Sequence, residues 1–400
     1  PTNLRGQPVI ELKRTAQERL LGRRVDAILT TTDSGGFAGR RVLITGGGGS
    51  VGSELARQVA GCQPAQLVLL DHAEYNLFRI EAELRDMFPA LPLSVCLGDV
   101  SRSVDIAAAC REAQPHIVFH AAAYKHVTLA ERSVVAAART NVLGTVQTLK
   151  AAREVGARFV FISSDKAAES RSVMGATKRF AELVTLDLST PRFPAMVTRF
   201  GNILGSSGSV VEIMLRCVER GRPVPVTDPN ATRFFMTGEE AASLVMKAAQ
   251  IGEGGEVFWL DMGDPVRIGD LVDRLITYAT PKGTPRVPIE TIGLRPGEKV
   301  REELTNQGLE MKRTAHHRIW RARQQDVPRL EVYRALRRLT RACAKGDTAG
   351  ALNAIRLAVS DYVPSDAVLA LAGEAVRTGR LKAAPTTEAS TTVEAAGPFR

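Results

Sequence analysis

The stretch Arg41-Val42-Leu43-Ile44-Thr45, running into Gly46-Gly47-Gly48-Gly49-Ser50-Val51-Gly52, decides the fold of this chain. Its first half is a compact apolar run that predicts a buried strand, and its second half leads into a predicted helix. In such a turn the first glycine permits the bend, the second lets backbone approach a pyrophosphate, and the third lets helix and strand pack closely. The helix start also offers free N–H groups to phosphates. The sequence therefore predicts a dinucleotide site formed by Gly46, Gly49, Ser50, Val51 and Gly52.

An acidic residue ends the next predicted strand, Leu67–Leu70, at the distance from the glycines where dinucleotide-binding folds place one. A carboxylate at Asp71 would accept hydrogen bonds from the adenosine ribose hydroxyls and repel a 2′-phosphate, which favours NAD over NADP. The alternative is that Asp71 caps the helix that begins near Glu74, and the two roles are compatible.

The ends of two further strands complete the predicted cofactor site. Asp99 and Val100 follow the third predicted strand and are expected near the adenine, although Asp99 is equally suited to capping the next helix. Ala121 and Ala122 follow the fourth predicted strand, where small side chains let a flat cofactor lie against backbone.

Strands and helices alternate steadily through the first half of the chain, which predicts an α/β fold with a Rossmann-type doubly wound parallel sheet. A smaller, loop-rich α/β cap that binds substrate and a C-terminal helical extension broken at Gly346 are expected to follow. The predicted division is an N-terminal arm and linker (1–38), an NAD-binding domain (39–201 and 237–263), a substrate-binding cap (202–236 and 264–325), a helical extension (326–382) and a disordered tail (383–400).

Ser163-Ser164-Asp165-Lys166 follows the apolar run Arg158–Ile162, which is typical of a buried parallel strand. Parallel strands present functional groups at their carboxyl ends, so Ser164, Asp165 and Lys166 are expected at the edge of the sheet, facing a ligand. An acid beside a base suits a reaction that both removes and delivers a proton. Lys178 lies one helical turn after Met174 and on the same face. Taken alone, the pair is better explained as a solvated strand end, and the rest of the chain overturns that interpretation.

Composition limits the remaining possibilities. The chain has 400 residues, 44% hydrophobic and 24% charged, as in ordinary globular proteins, and its net charge is +10. An aromatic content of only 5% argues against a nucleic-acid partner, so the positive charge is assigned to small anionic ligands and a solvated basic face. The cysteines lack metal-ligand spacing and are expected to be reduced, with no metal site; they are Cys62, Cys96, Cys110, Cys217 and Cys343.

Residues 41–304 resemble the UDP-N-acetylglucosamine 4,6-dehydratases, or capsular-polysaccharide-type enzymes, of the extended short-chain dehydrogenase superfamily. In this resemblance Met174 replaces the tyrosine of the superfamily's Tyr-x-x-x-Lys signature, as in a membrane-anchored branch of the family. The segments that carry it are Thr45–Gly52, His120–Val127, Ser163–Lys166, Met174–Arg179, Arg199–Asn202, Thr232–Thr237 and Gly293–Lys299.

The resemblance implies roles for individual residues. Lys178 would hold the nicotinamide ribose, Asp165 would be the acid for the departing 6-hydroxyl, and Lys166 would be the base at C5. Ser164 and Met174 complete the predicted catalytic set. The predicted substrate-binding set is Lys125, His126, Asn202, Ser209, Val210, Thr227, Arg233, Arg295 and Glu298.

The implied reaction is NAD-dependent loss of water from a UDP-N-acetyl-hexosamine, with the cofactor regenerated in each turnover. Hydride leaves C4, the resulting ketone acidifies the C5 proton, water is eliminated, and hydride returns to C6. Lys166 can act as base only if burial and a cationic neighbour keep its amine neutral. The rivals are a UDP-sugar 4-epimerase, which normally uses a tyrosine base, and a catalytically silent protein that binds NAD or nucleotide sugars.

The resemblance also bears on partners and location. We expect a cytoplasmic protein that self-associates through the long helices after the fourth and fifth strands. We see no apolar run of about 18 residues, so any membrane association would come from a region before Pro1.

Overall fold

The computed structural model describes residues 12, 14–25, 34–281, 283–303, 310–323 and 327–373. The strands are β1 Arg41–Thr45, β2 Gln66–Asp71, β3 Leu93–Leu97, β4 Ile117–His120, β5 Arg158–Ile162, β6 Ala195–Arg199, β7 Asn202–Ile203, β8 Val224–Val226, β9 Thr232–Arg233, β10 Phe235–Met236, β11 Glu256–Leu260, β12 Val266–Arg267, β13 Ile289–Thr291, β14 Lys312–Arg313 and β15 Ile319–Arg323. The α-helices are α1 Arg14–Leu21, α2 Ser50–Gly61, α3 Glu74–Met87, α4 Ser103–Ala113, α5 Val127–Arg132, α6 Val134–Ala138, α7 Thr145–Glu154, α8 Val173–Leu188, α9 Val210–Glu219, α10 Gly238–Ile251, α11 Ile268–Ala279, α12 Arg329–Lys345, α13 Thr348–Ala358 and α14 Asp366–Leu371.

One large sheet organises the molecule, with strand order β14-β15-β11-β6-β5-β4-β1-β2-β3. Pairing is parallel from β3 across to β11, and only β15 and β14 run antiparallel to their neighbours. The order reverses between β1 and β4, which is where doubly wound sheets open a crevice for ligands. The predicted fold class is therefore confirmed. Residues 312–323, predicted in the cap, instead extend the sheet, because β15 pairs with β11 and places Trp320 opposite Trp259.

The sheet is covered on both faces, as the steady alternation of strands and helices requires. Strand β5 shows the pattern most clearly. Phe159 and Phe161 belong to the core that includes residues of α4, α7, α8, α12 and α13, whereas Val160 and Ile162 belong to the core with α2, α3 and α10. This period-2 alternation in a strand buried on both sides explains why its sequence is apolar throughout.

A third core forms the cap and includes part of the predicted N-terminal arm. Helix α1 packs on α11 and buries Leu20 and Ala16, which are one turn apart, among residues of α9 and α11. Arg23 then pairs with the buried Glu240 at 2.7 Å. Residues 14–25 therefore belong with the cap rather than forming a separate arm.

The C-terminal helices cover a surface that was predicted for self-association. Helix α12 ends at Gly346, where φ is +67°, and α13 follows, so the predicted break is confirmed. Both helices pack on α6 and α8, and α8 is buried from Val173 to Leu186. The chain's own helices therefore occupy this face, and self-association through the helices after β4 and β5 stays a prediction for the surface that α12 and α13 leave uncovered. Residues 374–400, including the predicted tail, lie outside the described residues. Among the helices that are described, none has the length and apolar character needed to cross a bilayer.

Candidate active site

The glycine turn after β1 has the close contacts that its spacing predicts. Gly46 has φ of +69°, and a Cβ there would lie 2.6 Å from the backbone nitrogen of Ala122. A Cβ on Gly52 would lie 2.0 Å from the carbonyl oxygen of Gly46. Side chains are thus excluded at both positions, and the start of α2 is held directly against the turn.

Asp71 combines the two roles that its position allows. Its Oδ2 accepts a hydrogen bond from the N–H of Gly48 at 2.9 Å, and its Oδ1 accepts from the N–H of Ala73, the residue before α3, at 2.9 Å. The carboxylate therefore ties the glycine turn to the start of α3. It also lines the cleft beside the turn, and a carboxylate has further lone pairs with which to accept hydrogen bonds.

This cleft has a volume of about 160 Å³ and runs from the glycine turn across the ends of β2, β3 and β4. An extended dinucleotide fits such a site, because side chains are excluded from the turn and a carboxylate lies beyond it. The predicted residues that line the cleft are Gly46, Gly49, Asp71, Asp99, Val100, Ala121 and Ala122; Ser50, Val51 and Gly52 do not line it. Sequence reasoning missed His72, Asn76, Tyr124 and Thr140.

Sequence reasoning also missed a single π-helical turn, Arg139–Gly144, in the helical stretch after β4. It aims the buried Asn141 at the loop after β4, where Oδ1 accepts from the N–H of Tyr124 at 2.8 Å and Nδ2 donates to its carbonyl at 3.1 Å. Nδ2 also donates to Thr177 Oγ1 on α8 at 3.0 Å. The predicted long helix is interrupted here, and π turns of this kind occur frequently at functional sites.

The predicted acid and base meet in a short 3₁₀ turn that follows β5. Lys166 Nζ donates to Asp165 Oδ1 at 3.0 Å and to Asn202 Oδ1 at 3.1 Å. Ser164 Oγ donates to the same Asp165 oxygen at 2.8 Å, whereas Asp165 Oδ2 is buried and has no hydrogen-bond partner among the described residues. The site therefore holds a buried carboxylate with one oxygen bonded and one free.

The surroundings of Lys166 favour its charged form. Burial favours the neutral amine, but the carboxylates of Asp165 and Glu302 outweigh it and raise the pKa of Lys166. Glu302 Oε1 lies 3.7 Å from Nζ. The condition for a neutral amine at Lys166 is therefore not met in the free protein, which holds an ion pair instead.

Met174 and Lys178 lie on α8, one turn apart, and neither lines the cleft or the cavity described below. Met174 is 3% exposed and packs in the core. Lys178 Nζ donates to the carbonyl of Ile162 at 2.8 Å and lies 4.7 Å from the centre of the Phe161 ring. Burial lowers the pKa of Lys178 to about 7, although Glu182 partly offsets it. The contact of Lys178 with a cofactor ribose stays a prediction.

A cavity of about 290 Å³ opens beside Lys166 and between the sheet and the cap. The predicted substrate residues that line it are His126, Asn202, Val210, Thr227, Arg233, Arg295 and Glu298. Ser209 and Lys125 are not among the lining residues. Ser209 Oγ instead accepts from the N–H of Glu212 and caps α9, because it occupies the N-cap position.

The cavity is rich in cationic side chains, some of which were not predicted. Arg171 and Lys299 line it together with Arg233 and Arg295. Lys299 Nζ is buried and has no hydrogen-bond partner among the described residues. Arg233 donates to the carbonyl of Lys299 at 2.6 Å and so holds this segment in place. The surplus of positive charge suits phosphate groups. Lys299 could have been found from the sequence, because it ends the segment Gly293–Lys299 that supports the family resemblance.

The fold and this site define a Rossmann enzyme of the extended short-chain dehydrogenase type. Among solved structures, Pen from Bacillus thuringiensis superposes with a TM-score of 0.68 at 30% identity, over 72% of this chain and 89% of that one. The chain belongs to the polysaccharide biosynthesis protein family, whose sequence profile matches residues 42–324.

Three relatives have more specific names. The probable polysaccharide biosynthesis protein EpsC of Bacillus subtilis is 42% identical over 74% of this chain and 50% of its own. The UDP-N-acetylglucosamine 4,6-dehydratase (inverting) of Campylobacter jejuni is 30% identical over 66% and 77%, and the UDP-glucose 4-epimerase of Rickettsia canadensis is 33% identical over 68% and 79%. The chain spans about half the length of EpsC and of another relative that it matches, the capsular polysaccharide biosynthesis protein CapD of Staphylococcus aureus.

Proposed function

We propose that this chain catalyses the NAD-dependent 4,6-dehydration of a UDP-N-acetyl-hexosamine, with UDP-N-acetylglucosamine as the substrate to test. The product would be a 4-keto-6-deoxy sugar for surface polysaccharide or glycan biosynthesis. The observation that carries the proposal is the Asp165–Lys166 pair beside the cationic cavity. The name of the Campylobacter jejuni relative supports the same reaction.

The cleft beside the glycine turn suits NAD. The turn and the start of α2 would hold the pyrophosphate, and Asp71 would accept from the ribose and disfavour a 2′-phosphate. When bound, NAD supplies a hydride acceptor and donor for the sugar. Lys178 would stabilise the nicotinamide ribose from α8.

The Asp165–Lys166 pair can supply both the acid and the base. In the free protein the shared proton lies on Lys166, and a hydrogen bond of 3.0 Å joins it to Asp165. Transfer of that proton along the bond would give a neutral amine and a carboxylic acid without changing the net charge. A bound sugar that excludes water would favour this state, because an ion pair loses more hydration than a neutral pair.

The neutral pair then matches the elimination. The amine of Lys166 takes the C5 proton, Asp165 protonates the leaving 6-hydroxyl, and the ion pair is restored. The C4 hydroxyl proton has no acceptor at Met174, since a thioether is only a weak acceptor. The acid–base groups nearest along the chain are Asp165 and Lys166, which would pass this proton to solvent through a water, so that the pair again holds a single proton when the C5 proton is removed. Lys166 would then return its proton to C5 as hydride returns to C6, and the pair would regain one proton from solvent.

A UDP-sugar 4-epimerase is the second candidate, and the Rickettsia canadensis relative favours it. Epimerisation needs only oxidation and re-reduction at C4. It makes no use of an acid for the 6-hydroxyl or a base at C5, which the Asp165–Lys166 pair would provide. Met174 also lacks the proton that a tyrosine base would exchange.

The test is incubation of the purified protein with UDP-N-acetylglucosamine and NAD in deuterated water, followed by chromatographic separation of the sugar nucleotides, which resolves isomers, and mass spectrometry of each. Loss of one water with one deuterium at C5 is the expected result. An isomer of unchanged mass would identify an epimerase, and unchanged substrate would identify a binding protein.

Asp165→Asn is the matched variant for this test. The amide preserves the shape of the side chain but cannot donate a proton of suitable acidity, so water loss should cease while NAD is still bound. Calorimetric titration with NAD supplies the control. Near-normal turnover by Asp165→Asn would contradict the acid role.

A further inference from the structure

Glu131, at the end of α5, is a buried carboxylate that the proposed chemistry does not use. Its Oε1 accepts a hydrogen bond from the N–H of Val173 at 2.7 Å, and its Oε2 accepts from Ser365 Oγ at 2.6 Å. The carboxylate thus joins the first residue of α8 to the segment before α14. A negative charge at the start of α8 also interacts favourably with the helix dipole.

The cap turn at Gly297, which borders the substrate cavity, packs against the same carboxylate. Gly297 has φ of +79°, and a Cβ there would lie 2.9 Å from Ser172 Cβ and 3.1 Å from Glu131 Cδ. Ser172 and Gly297 both line the cavity. Any side chain at Gly297 would push the cap turn away from Glu131, so the turn and the carboxylate fix each other's positions.

The start of α8 also contacts the 3₁₀ turn that carries Asp165 and Lys166, here called the catalytic turn. A Cβ on Gly175 would lie 2.1 Å from the carbonyl oxygen of Lys166. Because the two backbones are in such close contact, a shift of the first turn of α8 would also move Lys166. Glu131 controls that first turn through Val173, two residues before Gly175.

The C-terminal extension supplies the other half of this junction. Ser365 and the buried Tyr362 lie beyond the family match, which ends at residue 324. Burial and the negative charge of Glu131 raise the pKa of Tyr362, which indicates that its side chain is also close to the carboxylate.

We propose that Glu131 and Ser365 are positioning residues, and that the C-terminal extension sets the geometry of the active site through them. Ser365 orients the carboxylate of Glu131, which holds the start of α8 against Lys166 and supports the cap turn at Gly297. This inference rests on the proposed function for its kinetic test only.

The test compares Ser365→Ala with Ser365→Thr, which keeps the hydroxyl, and with Ser360→Ala, which removes an exposed hydroxyl from the same extension. In Ser365→Ala we expect faster amide hydrogen exchange at residues 173–178 and a fall in kcat of about tenfold, as for a small misplacement of catalytic groups, with KM for the sugar nucleotide nearly unchanged. Ser365→Thr should restore both, and Ser360→Ala should change neither.

A second pair of variants tests the carboxylate itself. Glu131→Gln keeps an acceptor for Val173 and should stay close to wild type, whereas Glu131→Ala should resemble or exceed Ser365→Ala. Unchanged exchange at residues 173–178, or a lower melting temperature with unchanged kcat in Ser365→Ala, would overturn the proposal. If the wild type does not turn over the sugar nucleotide, the proposed function fails, and the exchange measurement alone then decides this inference.

Discussion

Met174 shows how one residue can be essential to packing and irrelevant to proton transfer. It is 3% exposed in the core, and its thioether cannot exchange a proton. The chemistry expected of a tyrosine here has therefore been lost or moved. Lys178 nevertheless keeps its place one turn later, with a pKa lowered by burial to about 7.

Met174→Leu should keep most of the turnover, because it conserves volume and costs less than about 1.5 kcal/mol of stability. Lys166→Ala should lower turnover by about a hundred- to ten-thousand-fold, as expected for the loss of a general base. Steady-state rates with UDP-N-acetylglucosamine measure both, with NAD binding checked in each variant. The division of roles would have to be abandoned if Met174→Leu were folded, NAD-bound and as inactive as Lys166→Ala.

Lys178 should make stability depend on pH. Its pKa falls from 10.5 in the unfolded chain to about 7 in the folded one, so the unfolded state binds more protons between these values. Folding is then penalised fully below pH 7 and progressively less as the pH rises towards 10. Lys178→Met should stabilise the NAD-free protein at pH 6 by a few kcal/mol, on the order of 4. Denaturant unfolding at pH 6 and pH 9.5 should show this gain shrinking at the higher pH, and an equal gain at both would refute the explanation.

At the scale of elements, a pair of carboxyl groups interacts close to Lys299, which lines the cavity. A hydrogen bond to Glu169, reinforced by burial, raises the pKa of Glu303 to about 7. Glu169 lies in the loop after the catalytic turn and has φ of +42°. Ionisation of Glu303 therefore leaves two carboxylates in repulsion beside the loop that carries Glu169.

Binding of the sugar nucleotide should weaken as the pH rises through 7. A raised pKa means that the folded contact is fully favoured at low pH and is lost as Glu303 ionises. Glu303→Gln should flatten the dependence of KM on pH between 6 and 8.5, whereas Glu290→Gln, an exposed change on β13, should leave it as in the wild type. A KM that varies equally in all three proteins would place the titrating group elsewhere.

The elements also show where sequence reasoning succeeds. The glycine turn, Asp71 and the Asp165–Lys166 pair were predictable, because each depends on local spacing at a strand end. The packing of α1 into the cap, the extra strands β14 and β15, and the junction at Glu131 were not, since each depends on contacts between segments far apart in the chain. The charge of Lys166 could not be predicted for the same reason, because Glu302 approaches it from the cap.

At the scale of the whole molecule, the α12–α13 pair takes the place that a second subunit was expected to fill. Its inner residues Val332, Ala335 and Leu339 are buried in the core that contains α6 and α8. Self-association stays a prediction, and it would have to use a surface that α12 and α13 do not cover.

Removing residues 329–371 should expose the apolar side of α6 and α8. We expect the shortened protein to associate or aggregate at concentrations where the full chain does not, as seen by light scattering after size-exclusion chromatography. Arg334→Glu, on the exposed face of α12, is the control and should behave like the full chain. A shortened protein that stays monomeric and well folded would show that the helices are not needed to cover this face.

The covalent attachment of these helices has a consequence for how the enzyme responds to concentration. Where a catalytic helix is covered by a separate subunit, dilution removes the cover by mass action. Here the cover is tethered, so its local concentration is fixed by the chain itself and is unaffected by expression level. The proposed support for α8 is therefore a unimolecular property, and a few copies in a cell would be as well assembled as many.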